Sequence, residues 1–294
     1  MTAAPSPRRL HGALFIVALL FSANYIISKM GMRELAPLSF AWLRVAGSAL
    51  VLLVLSRHEL PIPASDRLRL TGFAVLGVVI NQTFFLGGLA LTSVHVAALL
   101  ITTIPVFALA AAIVAGRERA TATRVGGIAL AGAGALIVVG GERLVGGTHS
   151  IVGALLIVAN CLSFALYLVL SKPVMARLSA RAVVTWMFTT GTVLMLPFSV
   201  PALLREDWSH LSTAAWLSLA FVIAGPTVAA YLLNAWALRH ADSSVVAAYT
   251  YVQPILATIL GAIIFGETIG FPAVVAGVMI FGGVWLAGRA APGR

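Results

Sequence analysis

Charge is the scarcest commodity in this sequence. Asp, Glu, Lys and Arg together make up 10% of its 294 residues, against roughly a quarter in an ordinary soluble domain. That is too little to clothe a water-facing globule, so a soluble fold is excluded for most of the chain. Cysteine is nearly absent as well. Cys161 stands alone inside an apolar run, which rules out a disulfide framework and a Cys-based zinc cluster. No HExxH pattern or other metal motif occurs. All nine carboxylates (Glu34, Glu59, Asp66, Glu118, Glu142, Glu206, Asp207, Asp242 and Glu267) fall in the gaps between apolar runs. A proton relay within the membrane is therefore not expected. Cys161 and Ser163 have no histidine near them in sequence, so the nucleophile–base pairing of an intramembrane enzyme is not expected either. The formal charge of +10 is scattered through short gaps and not gathered on one face, which argues against a nucleic-acid partner.

What the chain does have is apolar length. Hydrophobic residues make up 61% of it, and a helix crossing a bilayer needs roughly 20 mainly apolar residues. Reading between the charges gives ten spans, near residues 11–29, 38–56, 70–90, 94–115, 124–141, 151–171, 182–203, 212–237, 244–265 and 270–288. Arg8 and Arg9 before the first run resemble a signal peptide, but the cleavage pattern is weak and the run is taken as the first span. The 47 uncharged residues between Arg69 and Arg117 are too long for one crossing, so two helices turn near Leu91, Thr92 and Ser93. With ten spans both termini share a side. Placing them in the cytoplasm puts fourteen Lys and Arg on inner segments and four (Lys29, Arg33, Arg143 and Arg205) on outer ones, with Arg44 inside a span. This is the positive-inside arrangement, and a bacterial inner-membrane protein with cytoplasmic termini is expected.

The chain also repeats itself. Gly12-Ala13-Leu14-Phe15-Ile16-Val17-Ala18 recurs as Gly153-Ala154-Leu155-Leu156-Ile157-Val158-Ala159, and each run leads to a Ser-Lys pair, Ser28-Lys29 and Ser171-Lys172. Trp42 has a counterpart in Trp186, and Pro105 precedes Glu118 by 13 residues just as Pro254 precedes Glu267. The expected units are residues 1–145 and 146–294. Five spans is an odd number, so the second unit enters from the opposite side, giving an all-α integral membrane fold of two inverted five-helix repeats. Such repeats generate two gates about a midplane site.

At these residues the chain resembles the drug/metabolite transporter superfamily, and within it the bacterial ten-helix EamA-type exporters. The resemblance runs over nearly the whole chain. It is carried by Ser22 to Tyr25 with Lys29 closing the first span, by Arg44 in the second, and by the two proline-to-glutamate segments with the glycine-rich spans after them. Gly116-Arg117-Glu118 departs from the pattern that Gly266-Glu267 keeps. The resemblance implies ten helices, export of amino acids or related metabolites, and no organic cofactor. It extends to the aromatic amino-acid exporters of this group.

Polar side chains in lipid-spanning helices normally face the bundle interior. Asn24 and Tyr25 in the first span, Asn81 and Gln82 in the third, Thr102 and Thr103 in the fourth, Asn160 and Ser163 in the sixth, Tyr231 and Asn234 in the eighth, and Tyr251 and Gln253 in the ninth are the candidate substrate-binding residues. The competing role for each is interhelical or backbone hydrogen bonding. Pro105 and Pro254, mid-span, remove helical hydrogen bonds and are the candidate gating residues. Gly126, Gly127, Gly132, Gly134, Gly282 and Gly283 read as close-packing surfaces. Arg44 should meet carbonyls, water or a substrate carboxylate. The function expected is export of amino acids, aromatic ones included, by alternating access without proton coupling. The alternatives are efflux of drugs or other small metabolites, a channel and an intramembrane enzyme.

Overall fold

In the computed structural model, residues 7–56, 62–145, 147–175, 177–230, 233, 236–237, 249 and 251–289 are described. Among them every regular element is helical. In chain order these are α1 (Pro7–Gly31), α2 (Pro37–Ser56), α3 (Ala64–Leu91), α4 (Val94–Val114), α5 (Ala122–Val145), α6 (Gly147–Met175), α7 (Ala180–Leu203), α8 (Thr213–Ala229), α9 (Val252–Phe265) and α10 (Phe271–Arg289). Eight are long and apolar enough to cross a membrane, while α8 and α9 are shorter apolar helices within the described residues. Several helices run past the expected ends. Because α3 begins at Ala64, Asp66 belongs to its first turn, and Glu142 lies within α5, so the expectation that every carboxylate sits in a loop is wrong for these two. Asp66 is buried and accepts a hydrogen bond from Arg177 Nη2 at 2.9 Å, which makes a charge at that depth tolerable.

Three local devices shape the bundle. Thr92 and Ser93 are extended (φ −127° and −77°), forming the sharp corner between α3 and α4 where the sequence placed it. Gly116 and Gly266 take left-handed φ of 67° and 66° and end the fourth and ninth helices, a conformation that favours glycine. Wide π-helical turns interrupt α3 at Val75–Ile80 and α8 at Ile223–Ala229. In α8 the cause is Pro226, which has no N–H to give the carbonyl of Val222. Thr227 Oγ1 donates to that carbonyl instead, at 2.7 Å.

Packing follows a regular plan. α5 lies along α10, α2 along α7, α6 against α3 and α4, and α1 against α8 and α9. The α5–α10 seam depends on glycine. A Cβ on Gly127 would sit 2.6 Å from the Gly283 carbonyl oxygen, and one on Gly283 would sit 2.5 Å from the Ala131 nitrogen. Gly134 is equally constrained, 2.8 Å from Ala276 O, whereas Gly126, Gly132 and Gly282 face looser space. Three of the six glycines thus let the two backbones touch within one chain, and the other three do not.

Candidate functional site

The polar residues of the bundle interior meet where α3 crosses α6. Asn81 Nδ2 donates to Asn160 Oδ1 at 2.6 Å, and Gln82 Nε2 donates to Asn81 Oδ1 at 3.0 Å. Asn160 is buried to 1% exposure, while Gln82 Oε1 is buried and accepts no hydrogen bond. One turn along α6, Ser163 Oγ donates to the Leu76 carbonyl at 2.8 Å, satisfying an acceptor in the π turn of α3. The amide cluster and the widened turn therefore belong to one α3–α6 unit. In apolar surroundings a buried amide without a partner costs several kcal/mol, so this cluster is held together as a network.

α4 passes beside this unit and is broken there. Thr102 and Thr103 form a turn between two helical pieces, with Pro105 in the first turn of the second piece. Their hydroxyls donate to the carbonyls of Leu99 and Leu100, each at 2.6 Å, so both threonines hold their own backbone. Cys161 Sγ contacts the Leu100 carbonyl at 3.4 Å from α6. The break falls just before Pro105 because the proline ring excludes the preceding turn from regular helix geometry. At the start of the ninth helix Tyr251 is likewise in a turn, and Pro254 lies two residues into the helix. Pro254 is buried, whereas Pro105 is exposed on a cleft of about 290 Å³ shared with Glu118, Arg124 and Tyr251.

The remaining expected residues are dispersed. Asn24 and Tyr25 on α1 are buried, Asn24 accepting from Ser28 Oγ at 3.3 Å and Tyr25 meeting the Phe85 ring edge-on at 5.5 Å. Gln253 is half-buried, and its carbonyl accepts from Ser22 Oγ at 3.1 Å, tying α9 to α1. Tyr251 lines a second, apolar cavity of about 1080 Å³ together with Phe281 and Trp285. Tyr231 and Asn234 lie outside the described residues. Arg44 is buried against the π turn of α8, where its Nε donates to Thr227 Oγ1 at 3.3 Å and its Nη1 has no partner.

One cluster escaped the sequence. Glu267, in the loop after α9, reaches the start of α4. Its Oε1 accepts from the Val94 N–H at 2.7 Å and lies 3.4 Å from Lys29 Nζ. Its Oε2 accepts from the His95 N–H at 3.1 Å and lies 3.0 Å from His95 Nδ1. Lys29 Nζ also donates to the Thr92 carbonyl at 2.6 Å. Burial pushes the Glu267 carboxyl upward, but the hydrogen bonds from His95 and Val94 and the Lys29 charge outweigh it and hold the group at about 2. A vestibule of about 670 Å³ opens beside it, lined by Lys29, Thr92, Ser93, His95, Phe265 and Glu267 among others. The signals that could have found the cluster were the equal Pro-to-Glu spacing and the Ser-Lys pair closing α1. In the sequence both stand as marks of a repeat, and neither shows that Lys29 and Glu267 meet.

Comparison with known proteins fits this architecture. A solved crystal structure superposes with a TM-score of 0.64 over 98% of this chain and 100% of its own, at 18% identity, and so shares the fold. An "Uncharacterized transporter" of Archaeoglobus fulgidus is 27% identical over 94% of this chain and 96% of its own. The "Uncharacterized inner membrane transporter YedA" of Escherichia coli is 25% identical over 88% and 84%. A "Probable amino-acid metabolite efflux pump" of Salmonella typhimurium is 24% identical over 92% of each. The EamA-like transporter family model matches residues 10–140 and again 151–289. This multi-pass membrane protein belongs to the EamA-like transporter family, within the drug/metabolite transporter superfamily.

Proposed function

We propose that the protein exports amino acids, aromatic ones among them, from the bacterial cytoplasm by alternating access, without proton coupling and with both termini inside. On this reading residues 1–145 and 146–294 are inverted five-helix repeats. The pairing of equivalent helices supports it: the second helix of one half packs on the second of the other, and the fifth on the fifth. The π turns fall in the third helix of each half, and in the fourth of each a proline stands near the start of a helical segment that follows a turn. Inverted repeats with discontinuous helices place the binding site near the midplane.

The observation that carries the cargo is the amide cluster of Asn81, Gln82 and Asn160, in which the Gln82 carbonyl oxygen is left free to accept. An acceptor of this kind suits the ammonium of a zwitterion. Thr102 and Thr103 stand at the neighbouring break of α4, while Tyr25 and Tyr251, away from the amide cluster in this conformation, are the candidate aromatic contacts. Pro105 and Pro254 serve as hinges, and Asn24, Ser163, Gln253, Tyr231 and Asn234 complete the candidate lining. The Salmonella typhimurium relative named for amino-acid metabolite efflux points the same way. Efflux of bulkier apolar compounds is the second reading, favoured by the apolar cavity around Tyr251, Phe281 and Trp285.

A growth screen of expressing cells against toxic levels of single amino acids and analogues selects the cargo. Saturable counterflow of the labelled hit into proteoliposomes then tests the carrier. Counterflow without an imposed pH gradient is expected, and a strict requirement for the gradient overturns uncoupled export.

A further inference from the structure

We propose that Glu267 is a releasable latch holding the Lys29 end of the bundle shut, and that letting go of α4 is what opens that end. The inference rests on the alternating-access reading and goes beyond it by naming the group that closes one gate.

A helix start leaves its first N–H groups without partners inside the helix. In α4 those of Val94 and His95 are satisfied by a carboxylate that comes from the loop after α9, more than 170 positions along the chain. The residue placed to do this locally is Ser93, a preferred capping type. Its hydroxyl makes no cap hydrogen bond and instead lies 3.5 Å from His95 Nε2. A helix end with an unused local cap can lose its distant partner without leaving buried donors stranded. Glu267 is thus a removable cap, and Ser93 is the one in reserve.

Removing it unties three elements at once. Lys29, in the last turn of α1, joins the Thr92 carbonyl at the α3–α4 corner to Glu267 and sits 5.6 Å from the centre of the Phe265 ring at the end of α9. Glu267 itself follows Gly266, whose left-handed backbone ends α9, and stands on the short loop before α10. The carboxylate can therefore leave by rotation of a few bonds, with no helix to unwind. The glutamate after Gly116, at the end of α4, behaves differently. Glu118 is 43% exposed, pairs with Arg124 at 3.2 Å on its own side of the bundle, and borders the cleft that reaches Pro105 and Tyr251. One glutamate is tied across the bundle while the other pairs only near its own helix end.

The test reads accessibility without substrate, in purified full-length protein with Cys161→Ala removing the native thiol. Ser28→Cys reports the latched end, since Ser28 is fully buried one residue before Lys29. Leu109→Cys reports the Glu118 end, since Leu109 lines the cleft beside Glu118. Adding Glu267→Gln should raise the rate of reaction of the Ser28→Cys thiol with a hydrophilic maleimide about tenfold and lower that of Leu109→Cys. Glu118→Gln should leave the Ser28→Cys rate unchanged. An unchanged Ser28→Cys rate in Glu267→Gln overturns the latch, and so does a rise at both positions, which would mean general loosening. If Glu267→Gln does not accumulate, Glu267→Asp, too short to reach the α4 start, should give the same pattern. Counterflow by the wild type with no change in labelling would sink the latch and leave the carrier standing. The labelling change with no amino-acid counterflow would sink the cargo and leave the latch.

Discussion

Asn81 and Asn160 share a 2.6 Å hydrogen bond across the α3–α6 contact, Asn160 fully buried and Asn81 half-buried. Replacing Asn160 with Ala removes the partner of the Asn81 Nδ2 donor, while Asn81 Oδ1 keeps its bond from Gln82, a loss of about 1–3 kcal/mol. The double replacement should cost less than the sum of the singles, because the second change removes the group that the first stranded. Unfolding midpoints of the four proteins in detergent check this. Equal additivity would show that the two amides act independently. If the cluster also binds cargo, Asn160→Ala should raise KM for counterflow in protein that remains folded at the assay temperature.

The α5–α10 seam gives a sharper contrast. Gly127→Ala puts a Cβ 2.6 Å from backbone atoms of both Gly283 and Ala287, which cannot step aside singly. Gly132→Ala, five residues further along the same helix, meets nothing within 4 Å. The first should destabilise by about 1–3 kcal/mol, as overpacking does, and the second should be neutral or slightly stabilising. Melting temperatures of the two purified variants decide the matter; equal values would mean that the seam is plastic.

These glycines show how far the sequence could be read. Composition and repeat spacing reached the helices, the corner at Thr92 and Ser93, and the role of glycine in the fifth and tenth spans, because apolar length, chain reversal and small size leave direct marks. Which glycines touch depends on the rotation of each helix about its axis, and a uniformly apolar helix carries no stripe to reveal it. The amide cluster was half legible. Asn81, Gln82 and Asn160 stood out as costly residues, while the hydroxyls of Thr102, Thr103 and Ser163, chosen on the same ground, turn to backbone carbonyls freed by the break in α4 or lying in the π turn of α3. The Glu267 cluster left only indirect marks, because it joins three segments far apart in sequence, at Lys29, at Val94 and His95 and at Glu267 itself, and loop charges normally end in water.

Glu267 makes the protein sensitive to acid in a stated direction. Its carboxyl ordinarily titrates at 4.5 and is held at about 2 in the folded protein, with His95 and Lys29 as the titratable groups facing it and Arg33 nearby over the Phe265 ring. A lowered folded value stabilises the fold fully above pH 4.5 and loses that contribution as pH falls towards 2. The amount at stake is on the order of 3 kcal/mol. Melting temperature should therefore drop between pH 5 and pH 3 by more in the wild type than in Glu267→Gln. Parallel curves would assign the acid sensitivity to other groups.

The two proline breaks separate gating from packing. Pro254 is buried near the start of α9, and Pro105 is exposed on the cleft, yet each follows a turn, at Tyr251 and at Thr102–Thr103, the second of which interrupts α4. Proline to alanine restores an N–H and removes the ring that excludes the preceding turn, so regular helix geometry becomes accessible to the turn at both places. If the breaks serve only packing, Pro254→Ala should be the more damaging change, because its ring is buried, and transport should fall only as far as stability does. If the breaks are hinges, both variants should keep or gain thermal stability while counterflow slows, because straightening favours one conformation over the other. A tenfold loss of counterflow rate at unchanged melting temperature in Pro105→Ala, whose ring makes little buried contact, is the outcome expected of a hinge. Wild-type rates in Pro105→Ala would confine the gating role to α9 or remove it altogether, and Pro254→Ala measured alongside distinguishes the two.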